Sequence, residues 1–148
     1  MKLWFLRSKY RENTDEIPEH LTHLWVSQHT NLKTMSSFTT RIELVNPDSN
    51  DYELLHQEMR DSEFYRVINY CGLWHDLPPG EYDRTANVTL SQVYSDAGAA
   101  AQAVINNKPL NDQMQPKSYY LLVTEVLERT YILAQTTDPL KLPPGASL

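Results

Sequence analysis

Residues 37–74 have the sequence SFTTRIELVNPDSNDYELLHQEMRDSEFYRVINYCGLW, which predicts a strand, a capped helix and a second strand in unbroken succession. Over residues 38–44 apolar and polar side chains alternate, which is typical of a half-buried strand. Asn50 begins a capping-box pattern, and an apolar stripe at helical spacing follows it, so a helix is predicted over residues 51–62. Residues 64–70 are rich in aromatic and β-branched side chains, which predicts a second strand.

The rest of the chain continues this alternation of strands and helices. Residues 74–80 contain two prolines and are predicted to form a rigid connection to a strand over 81–88. Thr89 caps a second helix, and residues 118–126 form the most apolar strand, which should be central or well covered. The order β-α-β-β-α-β predicts an α+β fold of the ferredoxin-like, split βαβ type. In this fold two helices pack on one face of a four-stranded antiparallel sheet, and residues 129–135 add a short C-terminal hairpin strand.

Three segments are predicted along the chain. Residues 1–36 form an N-terminal extension that is weakly structured or results from a misassigned start, since Met35 stands just before the first clean strand. A genuine appendage is the alternative. Residues 37–136 form the ferredoxin-like domain. Residues 137–148 contain three prolines and are predicted to be a mobile tail.

Composition limits the classes of function. The 148 residues carry a formal net charge of −6, which argues against nonspecific binding to duplex DNA because that binding depends on a basic surface. Cys71 is the single cysteine, so no internal disulfide can form and a reducing compartment is expected. Basic residues interrupt any signal-peptide core, and no run approaches the roughly 20 apolar residues of a membrane span. The protein is therefore predicted to be cytoplasmic, without a membrane partner.

Candidate catalytic residues are few. The histidines lack a third ligand at zinc spacing, and the chain has no glycine-rich phosphate loop, so no metal and no cofactor is predicted. Asp48 lies with Asn46 and Asp51 after the first predicted strand, where a carboxylate could bind a divalent cation or act as a general base on an RNA 2′-hydroxyl. Helix capping is the alternative role for this cluster. His75 is a second candidate for proton transfer.

Candidate RNA-binding residues come from the predicted outward face of the sheet. A cationic and aromatic sheet face binds unpaired bases by stacking and phosphates by charge. The predicted RNA-binding set consists of Arg41, Arg66, Tyr70 and Arg84. In the other register of the second strand, Tyr65 and Asn69 would face outward instead. Ion pairs with acidic residues of the same strands are the alternative role for these arginines.

The runs TTRIELVNPDSNDYELLHQEM, FYRVI, GLWHDLPPGEY and SYYLLVTEVLERTYIL resemble the small bacterial proteins grouped with the GhoS antitoxin of type V toxin-antitoxin systems. The resemblance covers residues 37–133 and implies a ferredoxin-like fold, similar to the small CRISPR-associated nucleases, and cleavage of a single-stranded messenger. Those nucleases have an acidic residue at the end of strand one, whereas the aligned residue here is Asn46. Either Asp48 substitutes or the metal-assisted mechanism is absent. Residues 129–131, Arg-Thr-Tyr, match an aromatic motif of the group.

Two functions follow from these observations. The first is a GhoS-like endoribonuclease that binds single-stranded RNA through its arginines, with Asp48 or His75 transferring a proton. The second is a non-catalytic interaction or regulatory protein of a mobile element or a stress response, which pairs with another polypeptide through the sheet face or an exposed edge strand. A homodimer is one form of such pairing. Asn46 and the negative net charge favour the second function.

Overall fold

The computed structural model describes residues 35–148, so positions 1–34 of the predicted N-terminal extension lie outside the described residues. The described part contains five strands, two α-helices and one short 3-10 helix. In chain order these elements are β1 (Ser36–Val45), α1 (Asp51–Asp61), β2 (Val67–Tyr70), β3 (Leu73–Asp76), β4 (Glu81–Ala86), α2 (Leu90–Asn107), β5 (Ser118–Val126) and the 3-10 helix (Pro139–Lys141).

The main sheet has three antiparallel strands in the order β4-β1-β5. Alternate residues of the central strand β1, from Phe38 to Leu44, are buried in the core. Both helices contribute buried apolar residues to the same core: Leu55, Met59, Val93, Ala97, Ala100, Ala101 and Val104. The small alanines let α2 lie close to the sheet. The predicted α+β class, with two helices and an antiparallel sheet, is confirmed.

The predicted four-stranded sheet is not formed by the described residues. β2 pairs with β3 as a separate two-stranded sheet. Only Tyr65, before β2, bridges to Asp83 of β4, through two N–H···O bonds of 2.9 and 2.7 Å. Cys71 and Gly72 both have positive φ, 51° and 85°, as in the two-residue turns that match the twist of a hairpin. β2 therefore pairs with the next residues in the chain, and β3 occupies the start of the predicted rigid connection.

The predicted C-terminal hairpin strand is also not formed. Residues 129–135 leave the main sheet and run beside β3. There the Asp76 N–H donates to the Ala134 carbonyl and the Thr136 N–H donates to the Trp74 carbonyl, each at 2.9 Å. One edge of β3 is paired with β2, and the other edge carries the backbone groups that this segment satisfies.

The stretch predicted as a mobile tail makes defined contacts. Leu142 is 7% exposed, and Lys141 Nζ lies 2.9 Å from Asp76 Oδ1 at the end of β3. The Leu140 N–H donates to Asp138 Oδ1 at 2.9 Å, which caps the 3-10 helix. The mobility of residues 137–148 stays a prediction, and it can be tested by removing one of these contacts.

The two α-helices begin in different ways. Thr89 Oγ1 accepts from the Gln92 N–H at 3.2 Å, which confirms the predicted cap of α2. At α1 the Asn50 side chain makes no cap hydrogen bond, so the predicted capping box is wrong. Asp51 Oδ2 accepts instead from the Asp48 N–H at 2.7 Å, because Asp51 is turned toward the preceding loop.

Candidate interaction surface

β5 lies at an edge of the main sheet. It pairs with β1 in one unbroken register, from Ser118 opposite Val45 to Val126 opposite Ser37. Among residues 35–148 it has no second strand partner. The outer row of its N–H and C=O groups is therefore in position to pair with another strand.

The side chains of β5 divide between two faces. Tyr119, Leu121 and Val123 pack against the core beneath the sheet. Tyr120 and Leu122 point to the opposite face, called the open face here, and are 69% and 63% exposed. Two large, exposed side chains thus stand beside a backbone edge with which no strand of residues 35–148 pairs.

β5 lacks the features that usually protect an edge strand. Natural edge strands are short, bulged, or carry lysine or proline. The nine residues of β5, SYYLLVTEV, include one charge, Glu125, and neither lysine nor proline, and their register with β1 contains no bulge. The sequence pattern predicts a central or covered position for this strand, whereas in the structure it lies at the edge of the described sheet. A long apolar edge of this kind marks a binding surface or an aggregation hazard.

Among the three predicted RNA-binding arginines, Arg41 alone lies on the open face. It is exposed, and in register it stands opposite Glu81 on β4 and Leu122 on β5. The face around it therefore combines one cation with a carboxylate and an apolar side chain.

Arg84 lies on the helix side of the sheet, so its predicted place beside Arg41 is wrong. It stands opposite Phe38, and opposite residues of antiparallel strands share a face. Its guanidinium lies 2.7 Å from Asp96 Oδ2, 3.5 Å from Glu63 Oε2 and 4.9 Å from the centre of the Phe64 ring. The side chain is 10% exposed. The structure gives Arg84 a role in joining β4 to α2.

Arg66 is also directed away from Arg41. Tyr65 bridges to Asp83, which places Tyr65 on the open face and the next residue on the helix side. Burial, followed by the positive charge of Arg66, lowers the pKa of His56 in α1 to about 4. Arg66 is thus close enough to α1 to act on its histidine, and the predicted set of arginines does not form one surface.

The rings of Tyr70 and His75 both contact the ring of Tyr131, a contact that the sequence does not predict. The ring centroids of Tyr70 and His75 lie 5.7 and 5.9 Å from that of Tyr131. His75 Nδ1 lies 3.3 Å from the Leu133 carbonyl oxygen. These contacts arise because residues 129–135 run beside β3, and no local pattern in the sequence signals that long-range pairing.

Asp48 is held in an ion-pair network. Its Oδ2 lies 2.8 Å from Lys108 Nζ and 2.9 Å from Lys117 Nζ, and its Oδ1 accepts from the Asp112 N–H at 2.8 Å. The hydrogen bond from Lys108 is the foremost of the contacts that hold the Asp48 pKa well below its ordinary value. A carboxylate with so low a pKa is a weak general base. The partners of Asp48 do not include His75, the other predicted proton-transfer residue.

The neighbours of Asp48 complete a structural link between the end of β1 and the loop before β5. Lys117 has 1% of its side chain exposed and lies 2.7 Å from Asp51 Oδ2. Asn46 has a positive φ of 54°, and its Nδ2 donates to the Pro116 carbonyl at 2.9 Å. An amide suits this position because asparagine tolerates a left-handed backbone and can donate to a carbonyl.

A cavity of about 420 Å³ lies beside the β2-β3 hairpin and is lined in part by Tyr65, Trp74 and Tyr131. Arg129 Nη1 lies 2.6 Å from Asp83 Oδ1 in its wall. Arg129 Nη2 and the Tyr131 hydroxyl are shielded from solvent and have no hydrogen-bond partner in the described part of the chain. Because these polar atoms are shielded, they do not present an accessible binding site.

No family model matches the chain, and no curated protein or solved structure matches it. Across residues 35–148, no helix is long and apolar enough to cross a membrane. The same residues contain no group of three or more His, Cys, Asp or Glu side chains placed to hold a metal ion. The cytoplasmic location and the resemblance to the GhoS group stay predictions.

Proposed function

We propose that this chain is a non-catalytic interaction protein that binds another polypeptide as an added strand along the outer edge of β5. The proposal rests on the mismatch between the composition of β5 and its position. Its sequence suits a covered strand, yet the described sheet ends there. An added strand would supply main-chain hydrogen bonds to the edge, and Tyr120 and Leu122 would supply side-chain contacts.

We propose that the domain that carries the β5 edge is a ferredoxin-like fold in which the fourth strand of the sheet is shortened. The Tyr65–Asp83 bridge extends the strand order β5-β1-β4 by one residue pair. That order matches a split βαβ sheet whose fourth strand has shortened and turned into the β2-β3 hairpin. The relationship to the GhoS group is proposed on the same basis, together with the sequence runs that resemble it.

Endoribonuclease activity is the rival function. Two residues proposed for it, Arg84 and Asp48, are engaged in ion pairs with Asp96 and with Lys108 and Lys117. Arg41 on the open face remains available to a phosphate. A single exposed arginine supports RNA binding less well than the unprotected edge supports strand addition.

The test presents peptides and RNA to the same protein. The full chain and a Leu122→Lys variant are screened against displayed peptides long enough to span β5, and both are titrated with a fluorescent single-stranded RNA pool at two salt concentrations. We expect the unmodified chain, at a concentration low enough to keep it monomeric, to select peptides with alternating apolar residues, and the selected peptides to protect the β5 amides from hydrogen exchange. Leu122→Lys should select none, because an exposed lysine blocks edge pairing.

Arg41→Ala is the matched control, since it alters the same face without changing β5, and it should retain peptide binding. Salt-dependent RNA binding with discrete cuts, lost in Arg41→Ala, would overturn the proposal in favour of the endoribonuclease. A monomeric chain that selects no peptide and binds no RNA would overturn it as well.

A further inference from the structure

We infer that the polypeptide paired with β5 is a second copy of this chain, joined β5 to β5 about a two-fold axis at Leu122. This inference rests on the proposed function and names the partner of the same edge. When a strand pairs with a second copy of itself in antiparallel register, the side chains that come to lie opposite each other must fit together.

Symmetry restricts the register. In a two-fold contact the same surface is used by both copies, so two adjacent β5 strands run antiparallel and the axis is perpendicular to the sheet. The open faces of the two copies are then continuous. Leu122 is the middle residue of the nine in β5, and the register centred on it pairs the whole strand, from Ser118 opposite the partner's Val126 onward.

The side chains fit this register. On the axis Leu122 meets the partner's Leu122, and on the same face Tyr120 stands opposite the partner's Thr124. Glu125, the one charge of β5, stands opposite the partner's Tyr119, so no like charges face each other. The combined sheet would have the strand order β4-β1-β5-β5-β1-β4. It would cover Leu122 and part of Tyr120, both of which are largely exposed in the single chain.

Sedimentation equilibrium of the full chain tests the dimer. We expect a mass of twice 17.2 kDa for the unmodified chain. Leu122→Lys and Leu122→Glu should each be monomeric, because like charges would meet on the axis, and an equimolar mixture of the two should associate again, because lysine would meet glutamate. Leu140→Lys is the matched control: Leu140 is 70% exposed on the 3-10 helix, whose Lys141 pairs with Asp76 of β3, and this variant should remain dimeric.

A thiol cross-linking experiment tests the register. In a Cys71→Ser background, Leu122→Cys should cross-link two chains through a short thiol-reactive reagent, because the two positions lie opposite each other. Thr124→Cys alone should not, because two such residues would be about 14 Å apart, four residue rises along the strands. Tyr120→Cys combined with Thr124→Cys should cross-link again, because these positions face each other across the axis.

The outcomes separate this inference from the function on which it rests. A monomeric chain that still selects peptides at β5 would overturn the dimer and leave the proposed function standing. A monomeric chain that selects none would overturn both. A dimer that survives Leu122→Lys, or that cross-links as well through Thr124→Cys as through Leu122→Cys, would overturn the β5 contact centred on Leu122.

Discussion

At the scale of single residues, Arg84 and Arg41 belong to the same sheet but differ in role. Arg84 is enclosed by Asp96, Glu63 and the Phe64 ring, whereas Arg41 is exposed. We expect Arg84→Met to lower the free energy of unfolding by about 2 kcal/mol, because it leaves the partly buried Asp96 without its charged partner. Urea unfolding of the full chain measures the change.

Arg41→Met is the control for this measurement. It removes the same charge from a neighbouring strand, and we expect its effect to stay within about 0.5 kcal/mol because the side chain is exposed. Equal losses in the two variants would contradict the structural role of Arg84. A loss of RNA binding in Arg84→Met without any loss of stability would return Arg84 to the RNA-binding set.

At the scale of elements, β3 depends on the segment that follows β5. The 129–135 segment pairs with its free edge, Lys141 pairs with Asp76, and Leu142 is buried. We expect Leu142→Ala to speed hydrogen exchange at the Asp76 and Thr136 amides by tenfold or more, because this hairpin can open without the main sheet. Amides of β1 should change little.

Leu140→Ala is the matched control, because Leu140 lies two residues away and is 70% exposed. It should leave the exchange of the Asp76 and Thr136 amides unchanged. If Leu142→Ala also leaves them unchanged, the contacts of Leu142 contribute no stability to β3, which agrees with the prediction of a mobile tail over residues 137–148.

The helices and strands that have their own periodic pattern could be predicted from the sequence, whereas the pairing of the strands with one another could not. The helix predicted over 51–62 is α1 at Asp51–Asp61, and the strand predicted over 118–126 is β5 at Ser118–Val126, because each has its own periodicity. β2 has two edges, and its periodic pattern does not specify which strands pair with them. In the structure one edge pairs with β3 across the turn at Cys71 and Gly72, and the pairing with β4 is reduced to the bridge at Tyr65.

The same limit applies to the candidate surface. The apolar pattern of β5 indicates that both of its faces are suited to contact, and it predicts a central or covered strand. Its actual position follows from the fact that β1 already has β4 on its other side, and the described residues provide no further strand. The predicted split βαβ order itself places the last strand at an edge of the sheet. The apolar pattern of β5 contradicts that order, and the structure follows the order and not the pattern.

At the scale of the whole molecule, His56 links pH to the stability of the fold. Its Nδ1 lies 2.8 Å from the hydroxyl of Tyr82, a fully buried core residue. Burial, and then the charge of Arg66, lower its pKa from 6.5 to about 4. In the unfolded chain the imidazole takes up a proton near pH 6.5, whereas in the folded chain it stays neutral down to about 4. Between these values the unfolded state binds more protons, so stability falls as the pH decreases.

We therefore expect the urea midpoint of the full chain to fall as the pH is lowered from 7 to about 4, the window between the unfolded and folded pKa values of His56. A His56→Gln variant keeps a polar group beside Tyr82 but takes up no proton, so its midpoint should fall less over the same window. Carboxylates that titrate at the lower end act on both chains, and the difference between the two midpoints at each pH isolates the histidine. Parallel curves would mean that His56 ionises equally in the folded and unfolded chain, which is incompatible with its buried contact to Tyr82.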